Sequence, residues 1–186
     1  MFKVFLAALI GGFVAFAWTS FSWMALPLHE STLHQFSNES AVAEAIKAGA
    51  PETGVYIIPG DKSKTMEQRE EQALKGPFVF AAVRPGANPR ADMSHAIARG
   101  LLTHLVSGVL MAILLAAVAP RLNYAGRVGF VLIVAVLVCL LGMYPQQIWW
   151  EVSADFILWD MVDVIAGWGI ASLIMAGMIN GRSAAA

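Results

Sequence analysis

At 186 residues, 58% hydrophobic and only 13% charged, the chain is too apolar for an ordinary soluble domain and reads as an integral membrane protein. A formal net charge of −1, with no tight run of Lys or Arg, excludes the clustered basic surface that nucleic acid or polybasic lipid recognition requires. Cys139 is the single cysteine, so an intrachain disulfide and a cysteine-based zinc site are excluded as well.

Four apolar stretches, at about residues 4–26, 100–119, 128–144 and 156–179, each come near the ~20 residues that a helix needs to cross a bilayer. The first has signal-peptide features: Lys3 at its start and the small residues of Ala15-Phe16-Ala17 as a cleavage pattern. Its apolar run continues through Trp18, Phe21, Trp23, Met24 and Leu26, however, which is the length of a retained span. Lys3, Arg121, Arg127 and Arg182 flank one side of the four spans. The segment 145–155 has no Lys or Arg and carries Glu151 and Asp155. Positive charge on the cytoplasmic side then puts both termini inside. Arg84, Arg90 and Arg99 argue the other way, but they adjoin an insert long enough to cross largely regardless of charge.

That insert, residues 27–93, has local signals of its own. Ser37 or Asn38 can cap a helix over 39–48, and 55–58 reads as a strand ended by Pro59-Gly60. Thr65-Met66-Glu67-Gln68 is a capping-box pattern, and 78–83 reads as a second strand. The turn-rich segment 84–89 leads to Asp92 or Ser94 as the cap of the second span. Parallel and antiparallel pairing of the strands both remain open. The expected fold is an all-α integral membrane bundle of four transmembrane helices, with a small α/β extracytoplasmic insert between helices 1 and 2. Trp23, Tyr144, Trp149, Trp150 and Trp159 fall at the outward ends, where amphipathic rings anchor a membrane protein.

Small residues recur at every fourth position: Ala7, Gly11, Ala15 and Thr19 in the first span, Gly100, Gly108, Ala112 and Ala116 in the second, and Gly167 and Ala171 in the fourth. Such stripes let helix backbones approach closely in lipid. The third span has no comparable ladder and is expected to be the most lipid-exposed. His104 fills the second ladder and Asp163 precedes Gly167 by four, which makes the pair His104–Asp163 an expectation. Arg99 and Asp160 are expected close by, completing an intramembrane polar cluster. A buried charge must be paired, and all four lie in the outward half, so the cluster reads as a polar staple first and an outward pocket second.

His29, His34 and His95 are the residues that a metal reading would use. Their spacing argues against it, because His29 and His34 are five apart and point to different faces of a helix. With His104 as the only histidine inside a span, haem is disfavoured too, and no cofactor is expected. No phosphate-binding loop, nucleophile elbow or hydrolase acid pair occurs, so catalysis is not expected. The layout, with Gly54-Val55-Tyr56 and Gly76-Pro77-Phe78-Val79-Phe80 in the insert, resembles an uncharacterised family of small four-span bacterial inner-membrane proteins. The resemblance implies a bacterial inner-membrane setting and no site residues. The function expected from the residues is that of a non-catalytic accessory or scaffolding subunit. Its partners would be the lipid bilayer and other membrane proteins or a second copy of itself. The alternative is a small transporter or ligand-binding protein with a pocket around His104 and Asp163.

Overall fold

No proline interrupts the chain before Pro27, and an unbroken helix, α1, runs over Phe2–Ala25 in the computed structural model, which describes residues 2–89 and 91–180. The chain divides into two compact units, one of Met1–Leu33 with Asp92–Ala186 and the other of His34–Ala91. Arg90 and Arg182, which entered the orientation argument, lie outside the described residues.

The first unit holds the long helices. α4, Met93–Val118, begins about two turns before the apolar stretch at 100–119, because Asp92 caps it by accepting from the Ser94 N–H at 2.9 Å. That bond, and then the Ser94 hydroxyl, hold the Asp92 carboxyl below its ordinary range and so keep a negative charge at the helix N-terminus. Asn123 caps α5, Tyr124–Val138, through the Gly126 N–H at 2.8 Å. The segment after 144 is not the loop that the sequence suggests. Helix continues through a π turn, Cys139–Met143, into α6, Tyr144–Trp150. Pro145 has no N–H to give, and the wider turn just before it accommodates that gap, with Tyr144 N–H bonded back to the Cys139 carbonyl. Glu151, in the left-handed region at φ 54°, ends the run, and α7 follows over Ala154–Met178. Among the described residues, four helical stretches are long and apolar enough to cross a membrane: Phe2–Ala25, Met93–Arg121, Tyr124–Trp150 and Ala154–Met178.

Residue size decides their packing. α1 lies against both α4 and α7, while α5 lies against α7. On α1, Ala8 and Gly12 meet α4: a Cβ on Gly12 would strike the backbone of His104 and Leu105, and one on Gly108 would strike the Ala8 carbonyl. Gly11 and Ala15 meet α7, at Met175 and Gly167 respectively. Ala7, Ala8, Ala15, Ala112, Leu115, Ala171 and Met175 are buried around these crossings. α5 is tied to α7 by polar groups at one end, with Tyr124 Oη donating to the Leu173 carbonyl and Arg127 Nε to the Ala176 carbonyl, both at 2.9 Å. α5 buries Val131 and Ala135 and leaves Ile133 and Leu137 exposed, and the π turn after it buries Cys139 and exposes Leu140 and Leu141.

The second unit contains α2, Glu39–Gly49, capped by Asn38, and α3, Met66–Lys75, which opens on a complete capping box between Thr65 and Gln68. Strands β1, Gly54–Ile58, and β2, Val79–Val83, pair antiparallel from Gly54↔Val83 to Ile58↔Val79. This resolves the pairing that the sequence leaves open. Val55, Ile57 and Ala82 are exposed on one face of the ribbon.

Candidate functional site: a buried histidine–aspartate latch

The site begins where α1 stops. Pro27 follows the helix, and Leu26 N–H still bonds the Ser22 carbonyl. The chain then turns through a 3₁₀ segment, Glu30–Thr32, closed by Thr32 N–H and Thr32 Oγ1 on the His29 carbonyl at 3.1 and 2.8 Å. This fixes the His29 backbone, and the side chain folds back against α7. His29 is only 2% exposed and Asp163 only 5%, so each polar head must find its partner inside the protein.

Asp163 supplies that partner. His29 Nε2 lies 2.8 Å from Asp163 Oδ2, with Ser22 Oγ at 3.4 Å from the same nitrogen. A carboxylate only accepts, so Nε2 carries the proton and donates to it. Trp23 stacks on the imidazole, with ring centroids 3.9 Å apart and planes within 10°, and Phe156 meets Trp23 edge-on at 6.4 Å. The second carboxylate, on Asp160, is partly exposed and lies 3.9 Å from His29 Nδ1, beyond hydrogen-bond reach. Nδ1 is buried and has no hydrogen-bond partner among the described residues.

The expected His104–Asp163 pair does not form. His104 Nδ1 lies 2.9 Å from the Gly100 carbonyl, one turn back on its own helix, and its ring meets Phe16 edge-on at 5.7 Å. The reason is the order of the helices. The small-residue stripes of α4 and α7 do mark contact faces, but both face α1, which lies between them. His104 and Asp163 therefore lie on helices that each meet α1, and each side chain is bonded elsewhere. Arg99 is exposed on α4 and has no ion pair among the described residues. Of the four residues expected in the cluster, Asp160 and Asp163 come together, joined by His29 instead of His104.

His29 was legible in the sequence only as a metal candidate. Its position seven residues after Ser22, just beyond a helix-ending Pro, is a signal that it could fold back alongside the last turns of α1. His34 and His95 are exposed, and among the described residues no group of three His, Cys, Asp or Glu side chains is placed to hold a metal ion. The geometry is that of a closed polar tie: one imidazole, one carboxylate at bonding distance and an aromatic lid. No family model matches the chain, and no curated protein or solved structure matches it either.

Proposed function

We propose that this chain is a non-catalytic multi-pass protein of a bacterial inner membrane, an accessory or scaffolding subunit that binds other membrane proteins. The observation that supports this most directly is the His29–Asp163 bond: protein atoms fill the buried polar site that a substrate or ligand would otherwise enter. The close-packing stripes of α1, α4 and α7 are likewise consumed inside the unit. The second unit offers a surface for a partner, with Val55 65% and Ile57 40% exposed on a ribbon with open edges. The orientation that goes with this reading has both termini in the cytoplasm and the His29 end outward. It rests on Lys3, Arg121 and Arg127 at one side of the spans.

Two measurements test it. Single cysteines at Ser63 and Ser153 should react with a membrane-impermeant thiol reagent from outside, and one at Ala125 only after the membrane is opened. Native purification in mild detergent should recover a second membrane protein in fixed stoichiometry, and the double variant Val55→Lys, Ile57→Lys should lose it while the spans stay inserted. A chain that purifies alone, or keeps its partner in that variant, overturns the reading.

A further inference from the structure

The latch contains an unused position. His29 Nδ1 is buried without a partner and faces a carboxylate that it does not reach, Asp160 Oδ1 at 3.9 Å. In the neutral imidazole this nitrogen presents a lone pair toward a negative oxygen, an arrangement with no bond to hold it. A proton placed there turns the lone pair into a donor aimed at that oxygen. Closing the gap by about 1 Å then gives a charge-assisted hydrogen bond of ordinary length. Trp23, stacked face-on at 3.9 Å, offers its ring to the same charge.

We propose that His29, Asp160 and Asp163 form a proton-binding site in which a doubly protonated His29 bridges both carboxylates and draws the segment after α1 onto α7. The step is uptake of one proton from water at Nδ1, with no other bond made or broken. The groups around the ring favour it. α7 contributes two acids, Asp160 and Asp163, and neither has any cationic partner but His29 among the described residues. The last turn of α1 contributes the neutral Ser22 and Trp23. Glu30, next in the chain, is exposed and adds a further negative charge on the same turn. Two facing carboxylates, with no competing cation among the described residues, leave one positive charge wanting, and the imidazole supplies it. Asp160, with its side chain 23% exposed, is the part of the site that reaches the surface of the unit. The inference goes beyond the partner-binding reading and does not depend on it, since its readouts are local to the latch.

The test uses the full chain in nanodiscs. A protonated imidazole stacked on an indole quenches its emission, so tryptophan fluorescence is followed from pH 8 to pH 5, the interval in which histidine changes charge. Six tryptophans contribute, and the Trp23 share is isolated by difference with Trp23→Phe. That difference signal should fall in one transition on acidification and vanish in His29→Gln. In Asp160→Asn, a change at the partly exposed rim, its midpoint should move toward acid by on the order of one pH unit. A second measurement leaves the cluster intact. With His34, His95 and His104 each replaced by Gln, the ring ¹⁵N shifts of the remaining histidine should report both nitrogens protonated at the acid end. Absence of any His29-dependent transition, an unmoved midpoint in Asp160→Asn, or a singly protonated ring throughout would overturn the proposal.

Discussion

α1 and α5 are equally apolar helices, yet one packs tightly between two neighbours and the other packs chiefly against one, with only slight contact to α4. The difference is residue size. α1 buries Ala7, Ala8, Gly11, Gly12 and Ala15, which bring backbones of α4 and α7 into contact with its own. α5 offers Val and Leu, buries only Val131 and Ala135 along its α-helical length, and exposes Ile133 by 70%. In lipid the surroundings are as apolar as the helix, so hydrophobicity cannot choose which helix becomes central. Close packing and polar ties choose instead. α1 holds its neighbours by glycines and by the His29 latch, whereas α5 depends on Tyr124 and Arg127 bonded to carbonyls of α7.

The strongest way to break the comparison is to give α4 a side chain where it crosses α1. Gly108→Val places a Cβ on the Ala8 carbonyl and against the Gly12 backbone, neither of which can yield like a flexible side chain. Overpacking of this kind should cost about 3 kcal/mol. The expected outcome is a large fall in the midpoint of thermal unfolding in detergent, with the spans still inserted.

The latch comes next, and it separates the observed pair from the expected one. His29→Ala and Asp163→Ala should each destabilise, because the partner left behind is a buried polar group without a bond. A double-mutant cycle should return a coupling of about 1–2 kcal/mol, the upper range for polar contacts between membrane helices. The cycle of His104→Ala with Asp163→Ala should be additive to within about 0.5 kcal/mol, as for residues that share no partner. Strong coupling in the second cycle and none in the first would restore the pairing read from the sequence.

That contrast also shows what the sequence carries and what it does not. The four long helices are legible because apolar length needs no knowledge of neighbours. Asp92, Thr65 and Gln68 are legible because capping is settled within four residues. The helix of the third apolar stretch runs on past Pro145, and a π turn that absorbs a proline leaves no clear periodic mark in the sequence. The stripes on α4 and α7 show that each helix approaches something, and they are silent on what. Placing α1 between them is a property of the assembled bundle, and it alone decides that Asp163 meets a residue following α1 instead of one on α4.

A smaller effect is expected at the tie that holds α5. Arg127 donates from Nε to the Ala176 carbonyl and from an Nη to the Leu122 carbonyl, each at 2.9 Å. Ala176 lies in the last turn of α7, where carbonyls lack helical partners and a cation complements the dipole. Arg127→Ala should cost about 1 kcal/mol, and Arg127→Lys should recover only part of it, because an ammonium cannot fork to two carbonyls in the same way. Since the glycine contact of α5, Leu132 against Gly169 of α7, is made by a flexible side chain and not by two backbones, the loss should appear as faster exchange or proteolysis near residues 122–127 before the other helices respond.

The smallest expected effect is the most direct comparison of the two helices, because it makes one chemical change in both. On α5, a Cβ added at Gly129 meets nothing within 4 Å, so Gly129→Ala adds a methyl group to open space. The substitution removes the conformational freedom that glycine brings to an unfolded chain, and Ala is the better helix former by about 1 kcal/mol in water. Lipid already enforces helix through the backbone, so the gain should shrink to within about 0.5 kcal/mol of zero and should not be a loss. On α1, Gly12→Ala sets the same methyl group against the backbone of His104 and Leu105, and helix propensity should be overruled by the clash. Opposite signs from one substitution, read as a raised or unchanged midpoint in α5 and a lowered one in α1, would show that close approach and not helix formation governs the bundle. A loss at Gly129 equal to that at Gly12 would mean that α5 has a close neighbour after all, a second copy or a partner seated on its outer face.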